Sequence, residues 1–293
     1  MTRPTTYEWL NIRKIKKSRF HHHLYLESYG VKIRVSSNHT AAIEAIAESL
    51  PEILAYSYVL TPPTGSDHEF YYVWNPTGRD SLYKENAMVG VRRERRELLD
   101  RLGAYIRLTV AEFAVNWVFV HAGVVSWNGK AILMPAKTFS GKSTLTSELV
   151  RLGALYYSDE YAVFDKNGLV SPFPKMLSIR GIIDDKQQLD YPAEAFGGVV
   201  GTDPVPVGMI LITEYKANGK WRPRVLSRGD GSVELIKNAL SIRLNPSFNI
   251  SVFDRATKNA VIIKSPRGEA SETAQTILKY LEHESGNQQN ALN

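Results

Sequence analysis

The sequence predicts an α/β protein with mixed sheets, in which a small N-terminal α/β domain at residues 1–91 precedes a larger domain at 92–284 and a disordered tail at 285–293. Apolar runs of strand length alternate with helical spacing along the chain, which is typical of this class. Ser140-Gly141-Lys142-Ser143-Thr144 stands between such a run and a helical pattern. The hydrophobic content of 43% over 293 residues is sufficient for a substantial core.

The composition narrows the classes of function. The chain contains no cysteine, which excludes disulfides, thiolate metal sites and cysteine nucleophiles. Since no apolar stretch reaches about 18 residues and the start lacks a secretory signal pattern, we expect a cytoplasmic protein that does not bind membranes. The net charge of +6 favours an anionic partner. Nucleic acid is an unlikely one, because the basic residues are scattered and the densest run interleaves glutamate.

The N-terminal domain is predicted from three strand-like segments and one helix. The strands are expected at 22–26, 31–35 and 70–74, where β-branched and aromatic residues cluster. The helix is expected from Ala41 to Leu50, because apolar residues recur at helical spacing and Pro51 follows. A longer helix is predicted from Arg92 to about Val118 on the same grounds.

A β-hairpin is predicted to deliver the chain to the motif. Its strands are expected at 119–127 and 130–134, joined by Asn128-Gly129, a dipeptide that favours a tight hairpin turn. Beyond the motif, Leu145, Leu149 and Leu152 predict a helix that stops at Gly153. Further strands are expected at 155–157, 161–164, 207–212, 250–253 and 261–263, and further helices at 233–242 and 269–282.

The Gly-Lys-Ser motif is typical of the end of a phosphate-binding loop. Glycine lets backbone N–H groups approach phosphate oxygens, and the following helix N-terminus adds partial positive charge. Lys142 would reach the β- and γ-phosphates, and the Ser143 hydroxyl would bind Mg²⁺. The full pattern has a glycine where this chain has Ala136, so a simple helix start with a preceding glycine is the alternative interpretation.

A carboxylate pair and a histidine flank the motif. Asp159-Glu160 lies 17 residues after Lys142, within reach of one helix and one strand, and a kinase needs acids both for Mg²⁺ and near the acceptor hydroxyl. A surface turn would also explain such a pair. His121 lies 21 residues before Lys142 in an apolar segment, where a histidine packed in the core is the alternative to a functional one.

Together these residues resemble the HPr kinase/phosphorylase group of bacterial serine kinases, especially its HPr-kinase-related members found with peptide-modification genes. The resemblance spans about residues 115–185 and rests on His121-Ala122-Gly123, Gly141-Lys142-Ser143 and Asp159-Glu160 with their spacing. Ile179-Arg180-Gly181 is also similar to a signature of that group, with Ser178 in place of its glutamate. The resemblance implies the phosphate-loop core of the HPr kinase and PEP carboxykinase type.

The resemblance also implies roles for individual residues. Asp159 would be the base, His121 its partner, Lys142 a catalytic phosphate ligand, and Ser143 with Glu160 the Mg²⁺ ligands. The residues expected to bind ATP are Ala136, Lys137, Thr138, Phe139, Ser140, Gly141, Lys142, Ser143, Thr144 and Arg180.

The expected function is ATP- and Mg²⁺-dependent phosphorylation of a hydroxyl, on a Ser or Thr of a peptide or protein. Two alternatives remain open. One is a small-molecule kinase, and the other is a non-catalytic nucleotide-binding regulator in a peptide-modification system. The second follows from the altered loop, in which Ala136 and Phe139 replace glycines. A homo-oligomer is compatible with the resemblance.

Overall fold

The computed structural model describes residues 15–63, 65–135, 141–180 and 188–290. The chain divides into two compact units, Met1–Val115 and Asn116–Asn293. The boundary lies after the long helix, while the sequence placed it at 91–92. Among the helices of the described ranges, none combines the length and the apolar character needed to cross a membrane.

The N-terminal unit is a six-stranded mixed sheet with two helices. Its strands are β1 (His22–Ser28), β2 (Val31–Ser37), β3 (Val59–Leu60), β4 (His68–Val73), β5 (Asp80–Lys84) and β6 (Ala87–Arg92), in the order β3-β1-β2-β4-β5-β6. Helix α1 (Thr40–Ile53) contacts β1 and β2, and α2 (Arg95–Phe113) contacts β5, β6 and α1. Both helices bury leucine and isoleucine at helical spacing, which holds them together in one core.

Two helix ends in this unit differ from the prediction. Helix α1 continues through Pro51 to Ile53, because the carbonyl of Leu50 still accepts a hydrogen bond from the N–H of Leu54 at 2.9 Å. Proline therefore lies in the last turn instead of ending the helix. Helix α2 is shorter than predicted and ends at Phe113, ahead of Trp117.

The C-terminal unit is built on an eight-stranded mixed sheet and a separate two-stranded ribbon. The sheet strands are β7 (Val118–Trp127), β8 (Lys130–Pro135), β9 (Leu155–Ser158), β10 (Tyr161–Phe164), β11 (Val170–Ser171), β14 (Val207–Tyr215), β15 (Arg224–Val225) and β16 (Val261–Arg267). Their order is β11-β10-β7-β8-β14-β16-β15, and β9 also pairs with β7. The ribbon joins β12 (Leu177–Arg180) to β13 (Gln188–Tyr191).

Helices cover both faces of this sheet. Helices α3 (Lys142–Arg151) and α6 (Ala270–Asn290) pack on one face, and α4 (Arg228–Asn238) and α5 (Pro246–Thr257) pack on the other. The side chains of β8 alternate accordingly. Ile132 and Met134 belong to the core that includes α3 and α6, while Ala131 and Leu133 belong to the core that includes α4 and α5.

Most predicted elements of this unit are present, and the mixed α/β class is confirmed. The β7–β8 hairpin turns at Asn128 and Gly129, whose φ values are 50° and 73°. The strand predicted at 250–253 is wrong, because those residues lie within α5. Helix α4 overlaps the predicted helix at 233–242 but begins and ends earlier, and α6 extends past the predicted start of the tail at 285.

Three parallel strands determine where the site lies. Strand β14 pairs in parallel with β8 on one side and with β16 on the other. The carboxyl ends of parallel strands meet at one edge of a sheet, which is where ligands bind in α/β proteins. The chain leaves β8 at this edge and enters α3 there.

Candidate functional site

The end of the predicted phosphate loop is a tight turn into α3. Gly141 is the residue that precedes the helix, with φ 78° and ψ 21° in the left-handed region. An ideal Cβ at this position would lie 2.3 Å from Nη2 of Arg267. Glycine is therefore required here both by its backbone conformation and by the approach of the arginine.

The preceding part of the predicted loop is not described. Five of the residues expected to bind ATP lie outside the described residues: Ala136, Lys137, Thr138, Phe139 and Ser140. What the structure does place is the start of α3, with Lys142, Ser143 and Thr144 in its first turn. The N–H groups of a first helical turn have no partner within the helix, so this end attracts anions.

Asp159 is the buried centre of the site. It lies between β9 and β10, and its side chain is 7% exposed. Its Oδ2 accepts hydrogen bonds from the Ser143 hydroxyl at 3.1 Å and from the N–H of Ser178 at 2.9 Å. The Tyr156 hydroxyl lies 3.4 Å from Oδ1 and donates its shorter hydrogen bond to the carbonyl of Lys175. The predicted proximity of this carboxylate to the start of α3 is thus present in the structure.

The charges of the site affect one another. Burial raises the pKa of Asp159, and the negative charge of Glu160 adds to that effect, while Lys175 and the hydrogen bonds from Ser178 and Ser143 oppose it. Burial lowers the pKa of Lys142, and the charges of Asp159 and Glu160 oppose that change. Two lysines, Lys142 and Lys175, and two carboxylates therefore affect one another at this corner of the sheet edge.

His121 reaches the acidic pair through the backbone. In β7 it pairs with Tyr161 of β10, and its Nδ1–H donates to the carbonyl of Glu160 at 3.3 Å. The same carbonyl accepts from the N–H of Ala122. Burial lowers the pKa of His121, which favours the neutral ring. The histidine thus holds the Asp159-Glu160 turn by a backbone contact, and its role as an electrostatic or orienting partner of Asp159 stays a prediction.

For the remaining predicted residue, Arg180, the structure describes only the backbone. It ends β12, opposite Gln188, two residues after the Ser178 N–H that binds Asp159. Its side chain lies outside the described part of the structure. The ribbon of β12 and β13 therefore begins at the site.

Arg267 is a site residue that sequence reasoning missed. It ends β16, is 3% exposed, and donates from Nη2 to the carbonyl of Gly141 at 3.0 Å. It also lines, with Lys142 and Thr213, an indentation beside the start of α3. The available signal was its position just after a predicted strand, at the sheet edge shared by β8 and β14.

The side chains of the site suit a hard divalent cation. The Ser143 hydroxyl and the carboxylates of Asp159 and Glu160 supply oxygen only, which Mg²⁺ prefers. Within the described ranges there is no group of three or more His, Cys, Asp or Glu residues placed to hold a metal alone. A cation here would take the rest of its coordination from water and phosphate oxygens, as Mg²⁺ does with nucleotides.

No protein-family model matches the chain, and no curated protein matches it. Among solved structures, it is similar to the Hpr(Ser) kinase/phosphatase from Coxiella burnetii, with 16% sequence identity and a TM-score of 0.31. The match covers 57% of this chain and 98% of that chain. This is a distant structural likeness over part of the chain, and the closer resemblance expected from the motifs stays a prediction.

Proposed function

We propose that the C-terminal unit binds ATP with Mg²⁺ and transfers the γ-phosphoryl group to a hydroxyl, on a Ser or Thr of a peptide or protein. The observation that carries the proposal is the hydrogen bond between Ser143 and Asp159 at the start of α3. This hydrogen bond places a buried carboxylate at the helix N-terminus that also carries Lys142 and the Ser143 hydroxyl. These are the groups that phosphoryl transfer requires.

We assign the roles that the resemblance implies, and the contacts of Asp159 support that assignment. Lys142 and the first N–H groups of α3 hold the β- and γ-phosphates. Ser143 and Glu160 would hold Mg²⁺, which would supply positive charge to the phosphate oxygens. Asp159 orients the acceptor hydroxyl and takes its proton while the acceptor oxygen bonds to the γ-phosphorus. The bond from that phosphorus to the β,γ-bridging oxygen breaks, and ADP leaves.

The raised pKa of Asp159 suits this role. A carboxylate whose proton affinity is increased by burial is a stronger base once it is ionised. The N–H of Ser178 and the hydroxyl of Ser143 hold its Oδ2 in a fixed orientation. His121 supports the turn that carries it.

The proposal is tested by phosphoryl transfer from γ-labelled ATP to peptides and to proteins of a cell extract. We expect Asp159→Asn to lower the transfer rate by roughly a hundredfold or more with ATP affinity changed by only a few fold. Lys142→Ala should weaken ATP binding itself. The matched controls are Asp203→Asn and Lys166→Ala, which change exposed residues outside the site.

Each other result has a definite meaning. Unchanged transfer in Asp159→Asn would contradict the role of the base, and unchanged ATP affinity in Lys142→Ala would contradict the phosphate site. Labelling of a metabolite in place of peptides would indicate the small-molecule kinase. ATP binding without any transfer would indicate the non-catalytic regulator.

A further inference from the structure

Arg267 is a buried cation without an ionic partner in the described part of the chain. Its guanidinium donates to two backbone carbonyls, those of Gly141 at 3.0 Å and Gly268 at 3.1 Å. Its Nε is buried and makes no hydrogen bond to any described residue. Such a group is costly to bury, and a compensating negative charge lowers that cost.

The neighbouring acidic group, Glu269, offsets the buried charge of Arg267 only in part. Glu269 is exposed and accepts a hydrogen bond from the Tyr215 hydroxyl at 3.0 Å. The Tyr215 ring lies 5.4 Å from the guanidinium of Arg267, so the arginine rests near an aromatic ring and not against a carboxylate. Burial lowers the pKa of Arg267 and the negative charge of Glu269 opposes that change without overcoming it, although an arginine remains charged at neutral pH.

The position of Arg267 couples it to the start of α3. The guanidinium holds the carbonyl of Gly141, and the next residue along the chain is Lys142. Arg267, Lys142 and Thr213 line one indentation, whose other walls are mostly apolar. Two cations therefore converge on the helix end that the proposed function assigns to phosphate.

We propose that Arg267 is a second cationic residue of the nucleotide site, which positions the Gly141 turn and whose charge attracts the bound phosphates. The inference rests on the proposed function. Arg267 is a positioning residue here, because its described contacts are to the loop backbone. The ligand chemistry it serves is a polyphosphate with two or three phosphate groups.

Titration calorimetry with Mg-ATP and Mg-ADP tests the proposal on the full chain. Two neutral variants, Arg267→Met and Arg267→Gln, should each bind Mg-ATP about tenfold more weakly than the wild type, since a charge-assisted contact is removed. Arg267→Lys should lie between the neutral variants and the wild type, because it keeps the charge and loses the geometry that serves two carbonyls. Lys264→Met is the matched control, since it removes one exposed charge from the same strand.

The outcomes separate this proposal from the proposed function. If the folded neutral variants bind within twofold of Lys264→Met while Lys142→Ala loses binding, the phosphate site stands and the role of Arg267 is wrong. If Arg267→Lys binds as weakly as Arg267→Met, packing and not charge explains the effect, which also overturns the proposal. If the wild type binds no nucleotide, the proposed function itself fails. A thermal unfolding scan identifies any variant that has not folded. If one of the two neutral variants fails to fold, the other is sufficient for the comparison.

Discussion

Asp159 is a carboxylate that the fold both buries and surrounds with hydrogen-bond donors. Burial acts against its ionised form and the donors act for it, and burial has the larger effect on its pKa. Ionised Asp159 therefore reduces the stability of the folded state at neutral pH. Such a residue is more often retained for chemistry than for stability.

A stability measurement across pH tests this description of Asp159. Because the folded state binds the proton more tightly than the unfolded chain, stability gained from Asp159 is present at low pH and is lost as pH rises through the raised pKa. We expect Asp159→Asn to raise the melting temperature at pH 8 by about 3 °C. The difference from the wild type should shrink toward pH 4. A difference in melting temperature that does not change with pH would contradict the raised pKa of Asp159.

Ser143 contributes a hydroxyl whose removal separates metal binding from phosphate binding. We expect Ser143→Ala to weaken Mg-ATP binding by about tenfold, while metal-free ATP binds as it does to the wild type. Calorimetric titration with and without Mg²⁺ makes the comparison. Ser143→Thr keeps a hydroxyl and serves as the control. Equal weakening of both ligands would show that Ser143 is no metal ligand.

At the scale of elements, the hairpin that leads to the site depends on its turn. Gly129 has a positive φ, and a Cβ there would meet no heavy atom within 4 Å. We expect Gly129→Ala to lower the free energy of unfolding by about 1 kcal/mol, through backbone strain alone. Gly229→Ala, in the first turn of α4, should instead raise it by about 0.5 kcal/mol. Urea unfolding measures both changes in free energy. A change of the same sign in the two variants would contradict the positive φ described for Gly129.

Helix α5 shows why a short apolar run misled the sequence analysis. Ile250 to Phe253 is a mostly apolar run, and four residues are too few to distinguish the period of a strand from that of a helix. The residues that indicate a helix lie just before this run. The Asn245 side chain accepts from the N–H of Phe248 at 3.3 Å, and Pro246 occupies the first turn. Together they start a helix.

The cap of α5 can be tested directly. Asn245→Ala should lower the free energy of unfolding by about 1 kcal/mol, because the Phe248 N–H loses its partner. Asn245→Asp keeps an acceptor oxygen and should cost much less. Urea unfolding of the two variants distinguishes a cap from general side-chain packing. A similar cost for both variants would argue against the cap.

Across the whole molecule, contacts between residues close together in the sequence were predicted, and a contact between distant residues was missed. The β7–β8 hairpin, α3 and the contact of Asp159 with the start of α3 all lie within one short stretch, and local spacing predicted them. Arg267 was missed because it reaches Gly141 across 126 residues, through a parallel pairing that no local pattern specifies. Arg180, which the resemblance favoured, is placed near the site by its backbone alone.

Hydrogen exchange on the full chain tests how the site is distributed between the two units. With saturating Mg-ATP, we expect slower exchange at the start of α3, in the Asp159-Glu160 turn and around Arg267. We expect no change in β1 to β6, since every described site residue lies in Asn116–Asn293. Comparable protection of the N-terminal sheet would contradict a site confined to the C-terminal unit.

The contact between Gly141 and Arg267 also determines when, during synthesis of the chain, the start of α3 can reach its described arrangement. The ribosome completes the Gly-Lys-Ser segment long before it makes β16, and β14 must be in place to hold β16 beside β8. A nascent chain that stops before β16 carries the motif without the arginine that sets its turn. Such long-range contacts form slowly. Under the proposed role of Arg267, only a chain that has been extended through β16 presents both cations to a nucleotide.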